Sequence, residues 1–374
     1  MSGSRPAAVI ILAAGAGTRM GSDLPKVLHT ICGRSMLDHV VGAARELDPA
    51  ELIVVVGHQR EQVISHLAEH APDARVVVQH RQGGTGHAVR TVLEEINLGH
   101  GTVVVTYGDA PVLRGQTLAA LVREHAEQQA AATALTTVMG DPTGYGRILR
   151  DAGGAIVEIV EEADATPGQR AIKEVNSGVY AFEASLLADS VKRVPTDNAK
   201  GEEYLTDVVA ILRSDGHRVA SYLEEDAADV FGVNDRVQLA QARRVLNARL
   251  LEHWMRAGVT ITDPSTTAID ADVVIGPDAE IGPGTQLEGS TVVEAGARVG
   301  PGCLLRDTTV SSGASVTYAV CESAVIGPGA VVGPFAHLPP GTKLGPGERV
   351  GGPGAATSRA GGPGAATSEG AHLA

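Results

Sequence analysis

The chain has 374 residues and a formal net charge of −14, with 43% hydrophobic and 20% charged side chains. This acidity argues against sequence-independent binding to nucleic acid, because the phosphate backbone repels an acidic protein. The sequence shows no signal-peptide pattern and no stretch near the ~20 apolar residues of a membrane-spanning helix. We therefore expect a cytoplasmic globular protein with no nucleic-acid or membrane partner, long enough for one large and one smaller domain.

The first part of the chain alternates between buried-strand and helix patterns. Strand patterns occupy residues 7–13, 51–56, 75–79 and 102–107, with helical patterns at 35–47, 59–69 and 85–97. Continuous β-branched runs between helices predict a parallel sheet covered on both faces. Ligands of such sheets bind at the carboxyl ends of the strands, so the loops after residues 13, 79 and 107 are the first candidates for a site.

The loop after the first strand is rich in glycine. Its sequence is Leu12-Ala13-Ala14-Gly15-Ala16-Gly17-Thr18-Arg19-Met20, with Pro25-Lys26 close behind. Small residues allow backbone N–H groups to approach phosphates, and Arg19 and Lys26 supply cations. A P-loop is excluded because G-K-[ST] is missing, and Met20 at the third glycine position disfavours a dinucleotide-binding dehydrogenase. Taken alone, the loop fits a plain strand-to-helix turn equally well.

Two further patterns organise the rest of the chain. Residues 234–256 predict one long helix that Asn234 or Asp235 could cap. From about residue 273 an aliphatic side chain recurs every six positions, which predicts a β-solenoid of about four coils at roughly eighteen residues per coil. The aliphatic series, interrupted by a phase slip near 310–320, comprises Ile275, Ile281, Leu287, Val293, Val299, Leu305, Ile326, Val332, Leu338, Leu344 and Val350.

Several segments together resemble one family. LAAGAGTRM with PKVLHTICGRSML resembles the opening of nucleotidyltransferases that activate sugar 1-phosphates. The later segments, in order, narrow the resemblance to the bacterial bifunctional N-acetylglucosamine-1-phosphate uridylyltransferase and glucosamine-1-phosphate N-acetyltransferase family, over about residues 6–350. They are QHRQGGTGHA (79–88), TYGDAPVL (106–113), PTGYGRI (142–148), IVEEADAT (159–166), KEVNSGVY (173–180), EEYLTD (202–207) and FGVNDRVQL (231–239).

The resemblance implies an architecture and a reaction. Residues 1–233 would form an α/β nucleotidyltransferase domain, Rossmann-like and GT-A-like, with a mixed, mostly parallel sheet. A linker helix at 234–260 and a short left-handed parallel β-helix of hexapeptide repeats at 261–351 would follow. The enzyme would convert UTP and N-acetylglucosamine 1-phosphate to UDP-N-acetylglucosamine, a cell-envelope precursor, and pyrophosphate. It would use Mg²⁺ and form a homotrimer through the β-helix.

The resemblance also implies a role for individual residues. The nucleotide would be lined by Leu12, Ala13, Ala14 and Gly15. Its uracil base would be recognised by Gln79, Gly84 and Thr85. The sugar would contact Tyr107, Gly146, Glu161 and Asn176. The phosphates would contact Arg19 and Lys26, and Mg²⁺ would be held by Asp109 and Asn234.

These residue types suit the chemistry, although each has a plainer interpretation. Mg²⁺ takes only one or two oxygen ligands from protein, which one carboxylate and one amide satisfy. Asp109 could instead be a turn residue, Asn234 a helix cap, and Glu161 and Asn176 surface polar groups. The reaction needs no general base, because the attacking phosphate is already ionised.

The C-terminal part departs from the family pattern. His337 stands where the resemblance expects an arginine, Pro339 occupies the next basic-type position, and the later acetyltransferase motifs have no counterpart. The repeated GGPGAATS at 351–358 and 361–368 predicts a disordered tail over 352–374. We therefore expect acetyltransferase activity to be absent.

Two alternatives remain open at this level. The same chemistry could act on another sugar 1-phosphate or on dTTP, since pocket shape decides that choice. The chain could also be a non-catalytic assembly subunit, although the presence of Arg19, Lys26, Asp109 and Asn234 argues against it.

Overall fold

The computed structural model of the chain describes residues 5–351. The chain divides into two compact units, one up to Arg249 and one from Leu250 onward. Domain boundaries at 233 and 260 stay a prediction, and the tail expected at 352–374 lies outside the described residues. Within the described range, no helix combines the length and the apolar character needed to cross a membrane.

The first unit is built around a nine-stranded mixed sheet, with strand order β11-β7-β10-β6-β1-β4-β5 and with β8 and β9 attached to β10. The segment β6-β1-β4-β5 is parallel, and β10 runs antiparallel to β6, β7 and β8. The strands of this unit, including the small β2–β3 hairpin, are β1 Ala8–Ala13, β2 Thr30–Ile31, β3 Arg34–Ser35, β4 Glu51–Val56, β5 Arg75–Val78, β6 Thr102–Tyr107, β7 Ala132–Val138, β8 Gly146–Arg150, β9 Ile156–Val160, β10 Glu174–Glu183 and β11 Val219–Leu223.

Helices cover both faces of this sheet, as the continuous apolar strands predicted. Alternate residues of β1 point to opposite faces: Val9 joins the apolar layer under α1, α2 and α4, and Ile10 joins the layer under α3, α6 and α7. The α-helices of the described chain are α1 Met36–Arg45, α2 Arg60–His70, α3 Thr85–Glu95, α4 Gly115–Glu127, α5 Pro167–Arg170, α6 Ala184–Ser190, α7 Asp207–Ser214 and α8 Arg236–Arg256, the last of which contains the boundary between the two units.

The helix predicted over 85–97 is shorter than expected. It ends at Glu95, because Ile96 takes an extended conformation and buries its side chain in the core. The start of α1 is sharply defined by a capping box in which Ser35 accepts from the Asp38 N–H and Asp38 accepts from the Ser35 N–H.

The second unit is a parallel β-helix made of three parallel sheets. Each inward aliphatic side chain stacks on its equivalent one coil away, as Ile281 does on Val299. The strands are β12 Thr260–Ile261, β13 Ala268–Ile269, β14 Val274–Ile275, β15 Glu280–Ile281, β16 Gln286–Glu288, β17 Val292–Val293, β18 Arg298–Val299, β19 Leu304–Arg306, β20 Thr309–Val310, β21 Ser315–Val316, β22 Ala319–Glu322, β23 Val325–Ile326, β24 Val331–Val332, β25 Ala336–Leu338, β26 Lys343–Leu344 and β27 Arg349–Val350.

The prediction of about four coils was wrong. The three sheets contain six, five and five strands, which makes five full coils and one further strand. The first coil was missed because Ile261 and Ile269 are eight positions apart and hide the period. The phase slip has a local cause: three of the four steps between Leu305 and Ile326 are five positions long instead of six. The three shortened corners are made by residues with a left-handed φ, namely Asp307 at 50°, Tyr318 at 44° and Ser323 at 44°.

Candidate active site

A cleft of about 570 Å³ opens at the carboxyl ends of the central strands. It is bounded by the loops after β1, β5 and β6, because parallel neighbours place their following loops at the same edge. The lining residues are Leu12, Ala14, Gly15, Ala16, Gly17, Thr18, Lys26, Val27, Gln79, Gln82, Gly84, Thr85, Ala88, Tyr107, Asp109, Lys200 and Glu202.

The glycine loop packs directly against Lys26. Gly17 has a φ of 58°, and a Cβ built on it would lie 2.6 Å from the Lys26 Cβ. Glycine is therefore required here both for the backbone conformation and for the close approach. Leu12, Ala14 and Gly15 face the cleft, whereas the side chain of Ala13 belongs to the apolar layer under α1.

Four polar side chains that are distant in the sequence meet at one end of the cleft. The Lys26 ammonium pairs with the Asp109 carboxylate, and its Nζ lies 3.2 Å from Oδ1 of Asn234. Arg19 donates to the same Asn234 oxygen over 3.1 Å. The Val233 N–H donates to the Asp109 carbonyl over 2.8 Å, and this backbone bond fixes the segment carrying Asn234 beside the end of β6.

The side chain of Asn234 does not cap α8. That role falls to Asp235, whose Oδ1 accepts from the Gln238 N–H over 2.8 Å, while the Gln238 side chain accepts from the Asn234 N–H. Because its neighbour satisfies the helix end, the Asn234 amide oxygen points to Lys26 and Arg19 instead.

The opposite wall of the cleft is formed by Gln79, Gly84 and Thr85. Gln79 is buried, and its Nε2 donates to the Gly84 carbonyl over 3.0 Å and to His87 Nδ1 over 2.8 Å. Burial lowers the pKa of His87, which agrees with a neutral ring that accepts at Nδ1. Gly84 has a φ of 106°, and a Cβ on it would lie 2.5 Å from the Glu203 carbonyl oxygen.

The residues expected to hold the sugar gather where β6, β8 and β10 adjoin. Gly146 and Asn176 are direct partners across β8 and β10. The Tyr107 ring packs against Gly178, where a Cβ would lie only 2.3 Å from a ring carbon. Burial, with the nearby Glu161 and Asp109 carboxylates, raises the pKa of Tyr107. Burial also raises the pKa of Glu161, opposed by Lys200 and by a hydrogen bond from Thr206.

Comparison with known proteins places this geometry in a family. A family model for MobA-like NTP transferase domains matches residues 9–175. The bifunctional protein GlmU of Thermobifida fusca is 57% identical over 88% of this chain and 69% of its own length. Those of Streptomyces avermitilis and Mycolicibacterium vanbaalenii are 56% and 53% identical over 87% and 86% of this chain and 68% and 67% of their own lengths. The chain belongs to the GlmU family.

Membership of the GlmU family makes this chain a nucleotidyltransferase of the UDP-N-acetylglucosamine diphosphorylase type. A divalent metal ion generally takes part in nucleotidyl transfer of this kind.

Sequence reasoning missed several residues of this GlmU-family cleft. Gln82 lines the cleft and donates to the Ala14 carbonyl over 3.0 Å. Lys200 and Glu202 reach it from a loop that lacks a periodic pattern. Tyr145, whose hydroxyl accepts from the Gly232 N–H over 3.4 Å, lies close enough to Asp109 to feel its charge. Three of them had a usable signal, since Gln82, Tyr145 and Glu202 lie within the QHRQGGTGHA, PTGYGRI and EEYLTD segments. Lys200 lies outside every such segment.

The loop that carries Lys200 and Glu202 is held in place by an arginine–carboxylate ion pair. Arg90 on α3 makes a two-pronged contact with the Glu203 carboxylate, at 2.9 and 2.7 Å. The Glu203 backbone also bonds to Gly83 and Gly86 on the opposite side of the cleft. Bidentate arginine–carboxylate pairs fix geometry as well as charge, so this contact positions the loop over the glycines.

Proposed function

We propose that this chain catalyses uridylyl transfer from UTP to N-acetylglucosamine 1-phosphate. An oxygen of the sugar phosphate attacks the α-phosphorus of UTP and forms a new P–O bond. The bond between that phosphorus and the oxygen bridging to the β-phosphate breaks, and pyrophosphate leaves with the electron pair. The attacking oxygen carries no proton at neutral pH, so the protein has to position charges and not to remove a proton.

The observation that carries this proposal is the cluster of Lys26, Arg19, Asp109 and Asn234 at the glycine-lined cleft. Both reactants are anionic and repel each other until cations intervene. Lys26 and Arg19 supply two positive charges, and the glycine loop brings small residues to the cleft wall, where backbone N–H groups can approach phosphates. These are the requirements of a reaction catalysed mainly by positioning and charge neutralisation.

The same cluster fits a Mg²⁺ ion. A carboxylate oxygen of Asp109 and the amide oxygen of Asn234 converge on one positive centre, the Lys26 ammonium. Hard cations take such oxygen donors and need only one or two from protein. Bound there, Mg²⁺ would neutralise charge on the reacting phosphates. Lys26 and Arg19 would bind and orient the phosphates beside it.

The two walls of the cleft support the choice of substrates. Gln79 and Thr85 present an amide and a hydroxyl for the edge of a uracil, and Gly84 allows close approach. Tyr107 in the cleft lining, with Glu161 and Asn176 outside that lining, would offer the donors and acceptors that sugar hydroxyls and an N-acetyl group require. Leu12, Ala14 and Gly15 would run along the nucleotide and Gly146 along the sugar.

We propose further that the second unit lacks acetyltransferase activity and assembles a homotrimer. The exposed His337 at the position expected for an arginine, followed by Pro339, supports the loss of activity. The assembly proposal is supported by an apolar pair on the outside of the β-helix: Phe335 is 88% exposed and stacks on Tyr318 at 6.0 Å between ring centroids. Exposed aromatic pairs of this kind are a feature of interfaces.

A pyrophosphate-release assay across nucleoside triphosphates and sugar 1-phosphates tests the reaction. We expect the highest kcat/KM with UTP and N-acetylglucosamine 1-phosphate, and loss of turnover after chelation of divalent ions with recovery on adding Mg²⁺. A higher kcat/KM for another pair would refute the proposed substrates. No release with any pair would refute the reaction itself.

Two separate measurements test the proposals for the second unit. Thiol release from acetyl-CoA with glucosamine 1-phosphate should stay at background, and robust release would disprove the lost activity. Light scattering should give a trimer mass that falls in Phe335→Ser. A monomer mass for the unmodified chain would disprove the assembly.

A further inference from the structure

A cluster of metal-ligating side chains lies outside the candidate active site. Asp38 is in the first turn of α1, and His66 and His70 are four residues apart on α2. One ligating atom from each of the three lies within 4.8 Å of the other two. Helical residues at i and i+4 share a face, so both imidazoles are directed to the same side of α2. None of the three is among the described residues that line the cleft.

The first two side chains are already held in place. His66 Nε2 lies 2.9 Å from Asp38 Oδ1 and 3.1 Å from the Ser35 hydroxyl. The Asp38 carboxylate also accepts from the Ser35 N–H over 3.2 Å as part of the capping box. His66 and Asp38 are only 18% and 15% exposed, so their rotamers are restricted by packing. The first turn of α1 thus holds the Asp38 carboxylate in a fixed orientation beside the His66 imidazole.

The third side chain has a tautomer that suits metal binding. His70 Nδ1 lies 3.0 Å from the His66 backbone carbonyl, and because a carbonyl can only accept, Nδ1 carries the proton. The lone pair of the neutral ring is then on Nε2. A ligating histidine usually donates its other ring N–H to a carboxylate or carbonyl in this manner. The two rings are stacked with 4.1 Å between their centroids, so the exposed His70 ring has to turn out of the stack to aim its lone pair at the ion that His66 faces.

We propose that Asp38, His66 and His70 bind a divalent ion of the zinc class. Zn²⁺ accepts two imidazole nitrogens together with one carboxylate oxygen, whereas Mg²⁺ prefers oxygen ligands and disfavours the two nitrogens. Ligands of a tetrahedral zinc ion stand about 3.3 Å apart, so the His66–Asp38 pair needs a shift of roughly 0.4 Å. The exposed His70 closes the third position. Neutral His66 changes tautomer: its Nε2 gives up a proton to solvent and its Nδ1 takes one from solvent, so that the Nε2 lone pair faces the ion. Water completes the coordination.

Such an ion would tie the beginning of α1 to the end of α2. Asp38 belongs to the first turn of one helix and His70 is the last residue of the other. Because the ligands come together only in the folded chain, the ion binds the native state and raises its stability by mass action. The effect is independent of nucleotidyl transfer and can be measured without substrate.

Zinc titration of the full chain against a competing chromophoric chelator, in excess Mg²⁺ to occupy oxygen-only sites, tests the proposal. We expect one Zn²⁺ per chain in the tightest class, with affinity lowered about tenfold or more in His70→Ala. Saturating Zn²⁺ should raise the Tm of the unmodified chain by roughly 5 °C, and the shift should vanish in the variant. His70 is exposed, so this variant should fold.

The matched control is His100→Ala, which removes a histidine that is 90% exposed and lies outside the cluster. It should bind Zn²⁺ like the unmodified chain. His66→Gln, which keeps a polar side chain beside Asp38, should lose the site as His70→Ala does. Equal zinc affinity in all four proteins, or no tight zinc binding by the unmodified chain, would overturn the proposal.

Discussion

The two units of this chain obtain their structure in opposite ways. In the β-helix, each inward side chain contacts its equivalent one coil away, about eighteen residues along the chain, as Leu287 contacts Leu305. In the first unit, Asp109 and Asn234 lie 83 and 208 residues from Lys26, and all three meet at one point. Repetition therefore builds a scaffold from near neighbours, whereas the candidate active site depends on long-range placement.

This difference determines what a substitution should do. A solenoid is stabilised by similar contacts between adjacent coils, so a core change acts on stability. The cleft consists of a few side chains and tight glycine turns at the edge of a sheet whose core lies elsewhere. A substitution in the cleft should therefore change activity more than stability. Three experiments, in order of decreasing expected effect, separate the two cases, and a fourth measures how pH changes stability within the first unit.

The largest effect is expected for Asp109→Ala. It removes a proposed metal ligand and the carboxylate partner of Lys26, so kcat should fall by roughly 10³-fold or more. The Tm should hardly change, since Asp109 lies at the end of β6 and not in the core. Steady-state pyrophosphate release and thermal unfolding measure both. Asp189→Ala, with a side chain 79% exposed, is the control and should keep full activity. Full activity in Asp109→Ala would remove it from the mechanism.

Leu287→Ala tests whether the inward side chains stabilise the β-helix. Leu287 is completely buried between two coils, and its truncation should cost about 2–5 kcal/mol through lost burial and a cavity. Denaturant unfolding measures the change. Val274→Ala, at a position that is 52% exposed on the same β-helix, should cost far less. Equal losses at both positions would contradict the stacking of inward residues as the source of stability.

Gly84→Ala tests strain at the cleft. The added methyl meets the Glu203 carbonyl in a backbone conformation that disfavours alanine, at a cost of about 1–3 kcal/mol. We expect the loop to shift and KM for UTP to rise. Gly42→Ala, inside α1 where nothing lies within 4 Å, should instead be neutral or stabilising. An unchanged KM in Gly84→Ala would show that this loop does not shape the nucleotide site.

The smallest effect concerns the two ends of α7. Burial, with Glu158 and Asp164 nearby, raises the pKa of Asp207 to about 6, so its folded form prefers the proton. Its contribution to stability is present below pH 3.8 and is lost as the pH rises through about 6. Asp207→Asn should therefore stabilise the chain at pH 8 by roughly 1–2 kcal/mol and have little effect at pH 3.5.

Asp215, at the other end of α7, supplies a control of opposite sign. The hydrogen bond from Arg193 lowers the pKa of Asp215, so its contribution is present at neutral pH and lost in acid. Asp215→Asn should lower the Tm at pH 8 and leave it unchanged at low pH. Thermal unfolding at both pH values tests the pair, and the same sign for both variants would contradict these pKa directions.

The sequence by itself determined the periodic parts of the molecule. The strand predicted over 51–56 is β4, and the six-residue aliphatic period indicated the β-helix, because both patterns depend on side chains only a few positions apart. The number of coils and the end of α3 were not predicted correctly from the sequence. Ile261 and Asp307 interrupt the period of the β-helix, and Ile96 leaves the helical pattern to pack in the core.

The arrangement of the cleft was decided by the tertiary structure. The resemblance named Lys26, Asp109 and Asn234, but nothing in the order of residues shows that Asp235 takes over the cap and leaves the Asn234 oxygen facing Lys26. Nor does a local pattern reveal that Arg90 holds the loop with Lys200 and Glu202 over the glycines. Periodicity records contacts between near neighbours, whereas these contacts join distant segments through the strand order of the sheet and a single backbone bond from Val233 to Asp109.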